Sequence, residues 1–153
     1  MSNRRELVFS SLDEVLSDVT QLAQGKVRNS GQNNFPNIVR HLAITNDLVV
    51  GERTPPKLPL MMRLFMPFMR SSILNGPVKP GFKLPSDMQA FFWPDSSIET
   101  DAAIKQLSDS IDRYKTKGPL PVHPLFGKAT RQQVDGLILK HAAMHLSFVH
   151  PDS

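Results

Sequence analysis

Apolar residues recur along this chain with the period of a helix, in four separate runs. Leu12, Val15, Leu16, Val19, Leu22 and Ala23 draw the first stripe. Ser11 and Glu14 precede it in an S-x-x-E pattern, whose hydroxyl and carboxylate satisfy orphan N–H groups at a helix start. Gly25 is placed to stop that helix. After the turn-rich loop of residues 29–34 comes a second run of Ile38, His41, Leu42, Thr45, Leu48 and Val49. Pro36 falls in its first turn, Asn34 or Phe35 caps it, and Gly51 closes it. Ile104, Leu107, Ile111 and Tyr114 mark a third helix, from about Ile98 to Lys117, capped by Ser97 and stopped by Gly118-Pro119. A capping box of Thr130 and Gln133 opens the fourth, which runs to about Phe148.

Residues 52–97 read differently. Prolines at 55, 56, 59, 67, 77, 80, 85 and 94 leave room for one short helix, Leu60 to Leu74, bent at Pro67. The remainder is a long crossover of the kind that covers the end of a bundle or rims a site. Met61, Met62, Met66 and Met69 alternate with phenylalanines there and suit core or dimer packing. No segment alternates with period two, and no repeat or low-complexity tract occurs. These elements predict an all-α protein: one four-helix-bundle domain over residues 1–153, with a long crossover between the second and third bundle helices that carries a short extra helix.

A chain of 153 residues can bury a proper core. Its net charge of +4 would suit an anionic partner, but the charges are spread and no run of five like charges occurs. With no basic recognition helix, nucleic acid is not the favoured partner. Cysteine is absent, which removes disulfides, thiolate metal sites and a cysteine nucleophile. The N-terminal stretch lacks the apolar region of a secretory signal. Leu58 to Met69, broken by Arg63 and Pro67, is too short to span a bilayer. The expectation is a soluble cytoplasmic protein without a membrane partner.

The chemistry lies in the histidines. On the last helix Val134, Leu137, Ile138, His141, His145 and Phe148 are spaced by three and four residues, so both histidines lie on the core stripe. An i, i+4 pair stacks side chains one above the other. His41 lies on the core stripe of the second helix. Three inward imidazoles need either hydrogen-bond partners in the core or a shared metal ion. Neutral imidazole suits zinc, nickel, iron or copper, with zinc or nickel the leading expectation. Three protein ligands would leave a coordination position open, as catalytic sites do. Ala142 follows His141, so the zinc-protease motif H-E-x-x-H is absent, and no serine sits in a G-x-S-x-G elbow. His123 either packs its loop or lies over the site as a proton shuttle or further ligand. His150 is expected in solvent past the last helix. Asp18, Asp47 and Asp112 are the candidates, by helix phase, to orient ligating rings.

The stretches FSSLDEV, NIVRHLAITND and HPLFGKATRQQVDGLILKHAAMHLSF, and with them nearly the whole chain, resemble the DinB-like superfamily of bacterial four-helix bundles. More narrowly, the chain looks like a subgroup of unknown function. The resemblance implies that His41 and the His141/His145 pair hold a divalent metal. It also implies a low-molecular-weight thiol as external cofactor, since characterised relatives include thiol-dependent transferases and isomerases. The chain departs from relatives at Phe35, where tryptophan is common, at Val134, where many have another aromatic, and at Met144, where some carry a further histidine. Two readings follow. One is a metal-dependent enzyme, a thiol-using transferase or small hydrolase acting on a small molecule. The other is a non-catalytic homodimeric binding or stress-response bundle in which the histidines only pack.

Overall fold

Every apolar stripe needs a partner surface, and in the computed structural model, which describes residues 3–152, four of the helices supply one to each other. These are α1 (Leu12–Leu22), α2 (Phe35–Val49), α5 (Thr100–Lys117) and α6 (Arg131–Leu146). Val15, Val19 and Leu22 of α1 meet Ile38, Val39 and Leu42 of α2, Leu107 and Ile111 of α5, and Ala142 and Leu146 of α6 in one core. Burying each such side chain contributes about 1.5–3 kcal/mol before conformational entropy is charged against it. The protein is an all-α bundle.

The caps show how local sequence sets these helices. The Asn34 side chain accepts the Asn37 N–H at the start of α2. Thr130 and Gln133 form both halves of a capping box on α6. Ser11 accepts the Glu14 N–H, but the Glu14 carboxylate reaches back to the Ser10 N–H, one residue further than a capping box requires. Three helix ends differ from expectation. Helix α1 stops at Leu22, with Ala23 as cap, before Gly25 is reached. Helix α5 starts at Thr100 with Glu99 as cap, because Ser96 is held by Arg40 and the backbone is still extended at Glu99. Helix α6 ends at Leu146, because the following residues leave the axis to form a strand.

That strand, β4 (Val149–Pro151), pairs antiparallel with β1 (Val27–Asn29). A second pair joins β2 (Val122–His123) to β3 (Gly127–Lys128) in a tight hairpin, where Gly127 takes a φ of 77° that suits glycine. Two or three residues cannot display an alternating pattern, so the sequence gives no strand signal here.

The crossover holds two helices where one was expected. Helix α3 (Leu60–Asn75) runs on past Pro67, and α4 (Ser86–Phe92) follows it. Met66 and Leu74 are the buried residues of α3, which lies against α6. Lys140 of α6 donates to the Gly76 carbonyl and Gln133 to the Asn75 side chain. Met88 and Phe92 of α4 pack on Ile44 and Leu48 of α2. Helix α6 is therefore covered by the bundle on one side and by α3 on another. Among the described residues no helix is long and apolar enough to cross a membrane.

Candidate metal centre

Helix α2 offers His41 from its buried face, and α6 offers His141 and His145 one turn apart. The three rings meet. His41 Nε2 lies 3.2 Å from His141 Nε2, and His145 Nε2 lies 3.1 Å from the same atom. One ligand nitrogen from each histidine falls within 4.8 Å of the others. His41 is buried, and the other two are half-buried.

The tautomer of His41 follows from its partner. Its Nδ1 is 3.0 Å from the Phe92 carbonyl oxygen, which can only accept, so Nδ1 carries the proton and Nε2 the lone pair. The indole of Trp93 lies flat on this ring, with centroids 3.9 Å apart and planes 9° apart. Trp93 also meets His145 edge-on at 5.3 Å. Burial lowers the pKa of all three imidazoles: His141 to about 4, His41 well below the usual value, and His145 far below it. Repulsion from His141 adds to the effect on His41 and His145, and His41 also acts on His145. All three are neutral at pH 7.

Neutral rings in this arrangement cannot satisfy each other. With His41 Nε2 an acceptor, His141 must donate to it, leaving no second proton on that atom for a linear bond with His145. If instead His145 donates to His141, the lone pairs of His41 and His141 face each other. A cation removes the conflict, because it accepts a lone pair from every ring. Two of the three spacings match one closely. Zinc–nitrogen bonds of about 2.0–2.1 Å place tetrahedral ligand atoms roughly 3.3–3.4 Å apart, and octahedral neighbours roughly 2.9 Å apart. The contacts of 3.1 and 3.2 Å fall between these values.

Two residues that hold this site were not picked out from the sequence. Phe92 and Trp93 come from the end of α4, within the run FFWP, and Trp93 is the only tryptophan in the chain. A third, Arg40, fastens that segment to α2. Its Nη2 donates to the carbonyls of Pro94 and Ser96 at 2.8 and 2.6 Å and to Asn37 Oδ1 at 3.1 Å, while Nη1 reaches Ser96 Oγ at 3.1 Å.

The carboxylates expected behind the rings are elsewhere. Asp18 is paired with Arg5 and Asp47 with Arg113, each through two hydrogen bonds. Among the described residues the Asp112 carboxylate forms no hydrogen bond, and its backbone carbonyl accepts from the Thr116 hydroxyl. The Phe92 carbonyl takes the orienting role instead. His150 is not free in solvent. It lies on β4, where its Nε2 is 3.0 Å from the Asn3 carbonyl and 3.1 Å from Ser30 Oγ.

His123 stands outside the cluster, on β2. Its Nδ1 accepts the N–H groups of Leu125 and Phe126 at 3.1 and 3.2 Å, and its ring stacks on Phe126. Burial lowers its pKa to about 4. The unfolded chain, titrating near 6.5, therefore takes up this proton first as pH falls. Stability from this residue is full above about pH 6.5 and declines toward pH 4, by about 3 kcal/mol in all. His123→Asn, whose amide oxygen can accept the same two N–H groups, is expected to flatten that part of the profile. Urea denaturation at about pH 7 and about pH 4.5 checks this; an unchanged difference between the two would contradict it.

Fold and cluster together define an all-α bundle with an internal three-imidazole centre of the size and chemistry to hold a metal ion. The chain belongs to the family described as "Protein of unknown function (DUF1569)", whose model matches residues 1–152. Comparison with curated proteins and with solved structures finds no match.

Proposed function

We propose that this chain is a divalent-metal protein of the DinB-like superfamily, and that it serves a reaction between an external low-molecular-weight thiol and a small electrophilic substrate. His41, His141 and His145 would hold the ion. The observation that carries the reading is the convergence of their Nε2 atoms in a geometry that neutral rings alone leave in conflict. Family membership over residues 1–152 supports it, as does the resemblance of the helix 2 and helix 6 motifs to metal-binding relatives.

A bound zinc or nickel ion would lower the pKa of a thiol or water and polarise an electrophile. The chain's own residues then have separate tasks. Phe92 fixes the His41 tautomer, and Trp93 walls the site on the α4 side and keeps water from that ring. His141 and His145 are less covered than His41, so a small molecule would approach from their side. His123, placed from the sequence as a possible proton carrier, has Nδ1 committed to its hairpin and remains neutral near pH 7. The packing role suits it better.

Elemental analysis of untagged protein is expected to give one divalent ion per chain after loading with zinc or nickel. Because Trp93 lies on a ligand ring, its emission should change during loading and reach its endpoint at one equivalent. Loaded protein should then consume a low-molecular-weight thiol in the presence of an electrophile, and a chelator should stop it. Protein that takes up neither metal would end the reading. Protein that takes up metal, ignores thiols and cleaves esters or amides would be the small hydrolase instead.

A further inference from the structure

Helix α3 departs from the rule that a surface helix turns its apolar side inward. Leu60, Met61, Leu64, Phe65 and Phe68 are all more than half exposed, with Phe68 at 86%. Spaced by one, three and four residues, they form two adjacent rows along the outward side of the first turns. Phe82, in the loop that follows, is also exposed, and Lys79 and Lys83 flank it closely. Apolar surface of this kind marks a place where something docks.

Charge identifies the occupant. Between residues 53 and 86 the chain carries Arg53, Lys57, Arg63, Arg70, Lys79 and Lys83, and no acidic residue. None of these six side chains forms an ion pair or side-chain hydrogen bond among the described residues, whereas cations of the bundle such as Arg5, Arg113 and Lys105 are paired with aspartates. On the side of α3 away from the apolar rows, a groove of about 620 Å³ sets Lys57, Arg63 and Arg70 around Leu58, Met66 and Phe126. A second copy docked face to face about a two-fold axis would bring these unpaired cations together, which disfavours self-association. A protruding helix with bulky apolar residues outermost, in a stretch whose charges are all positive, suits a broad, soft, negatively charged surface. We propose that α3 and the loop after it form a peripheral docking face for a membrane rich in anionic phospholipid. The apolar rows and Phe82 enter the headgroup region, and Lys79 and Lys83, which flank Phe82, take the lipid phosphates. This inference does not depend on the metal centre.

Co-sedimentation of the full chain with phospholipid vesicles tests it. Vesicles of phosphatidylcholine with added phosphatidylserine are expected to carry the protein down, phosphatidylcholine alone is not, and added salt should weaken the binding. Lys79→Gln with Lys83→Gln is expected to weaken it about fivefold per cation removed. Phe65→Ser with Phe68→Ser should weaken it roughly tenfold or more. The phenylalanines are exposed and the lysines exposed and unpaired, so both double variants should keep the helical signal and melting temperature of the parent. No binding to anionic vesicles at low ionic strength would overturn the proposal, and so would binding that neither variant weakens. A dimer in sedimentation velocity that Phe65→Ser with Phe68→Ser converts to monomer would give the face to a second copy. Capture of polyglutamate with no capture of vesicles would give it to an acidic polypeptide.

Discussion

His141→Ala is expected to lower affinity for zinc or nickel by more than about 100-fold. Disturbing a group that merely orients a ligand costs roughly 10–100-fold, and this change removes a ligand outright. His141 is also the ring that touches both others, with its Nε2 3.2 Å from His41 and 3.1 Å from His145. Its loss leaves two imidazoles without the atom between them. The effect on folding should separate metal binding from packing. With metal at about a thousand times the parent's dissociation constant, the parent gains about 4 kcal/mol of stability by mass action, and the variant should gain about 1.4 kcal/mol or less. Without metal the two should differ much less, because the substitution creates a small cavity but also removes a lone-pair conflict. Thermal unfolding of both proteins, with metal and with chelator, checks this. If the two melt equally far apart in both conditions, His141 is a packing residue.

Arg40→Met is expected to destabilise the fold by about 3 kcal/mol and to weaken metal binding roughly tenfold. Arg40 is 7% exposed, and its guanidinium is the fastening between α2 and the residues after α4. Methionine fills much of the same space but donates nothing. The carbonyls of Pro94 and Ser96 then lose their charged partner, and partly buried acceptors without partners are costly. The second effect is indirect. Phe92 and Trp93 immediately precede the fastened residues, one holding the His41 proton and the other covering the ring. Once residues 94–96 loosen, His41 loses its fixed orientation. Calorimetric titration and urea denaturation measure the two effects separately. Normal metal affinity in a destabilised variant would show that Arg40 supports the fold alone.

Helix phase put His141 and His145 on one side of α6 and His41 on the buried side of α2, and the structure brings the three rings together. Phase was poorer on α6 as a whole: α3 lies against a second side of this helix, and Met144, Ala142 and Leu146, off the stripe, are buried along with the stripe residues Val134 and Ile138. The carboxylates show what phase cannot do. Asp47 is six residues from His41, which turns it to the other side of α2, where Arg113 of α5 receives it. Asp18 is on α1, and its partner Arg5 comes from the segment before that helix, whose path no periodicity describes. Helix α4 was hidden because prolines at 77, 80 and 85 mask a seven-residue element that owes its place to packing on Ile44 and Leu48. With α4 went the Phe92 carbonyl and the Trp93 stack. A backbone carbonyl has no signature in sequence, although a lone tryptophan in a proline-rich crossover was a signal that could have been read.

X-ray absorption at the metal edge of zinc- or nickel-loaded protein addresses the metal centre most directly. The expected spectrum has three imidazole nitrogens, at about 2.0–2.1 Å for zinc, with one fewer imidazole in His145→Ala. A spectrum with oxygen neighbours only, unchanged when all three histidines are replaced, would place the ion elsewhere and contradict the account.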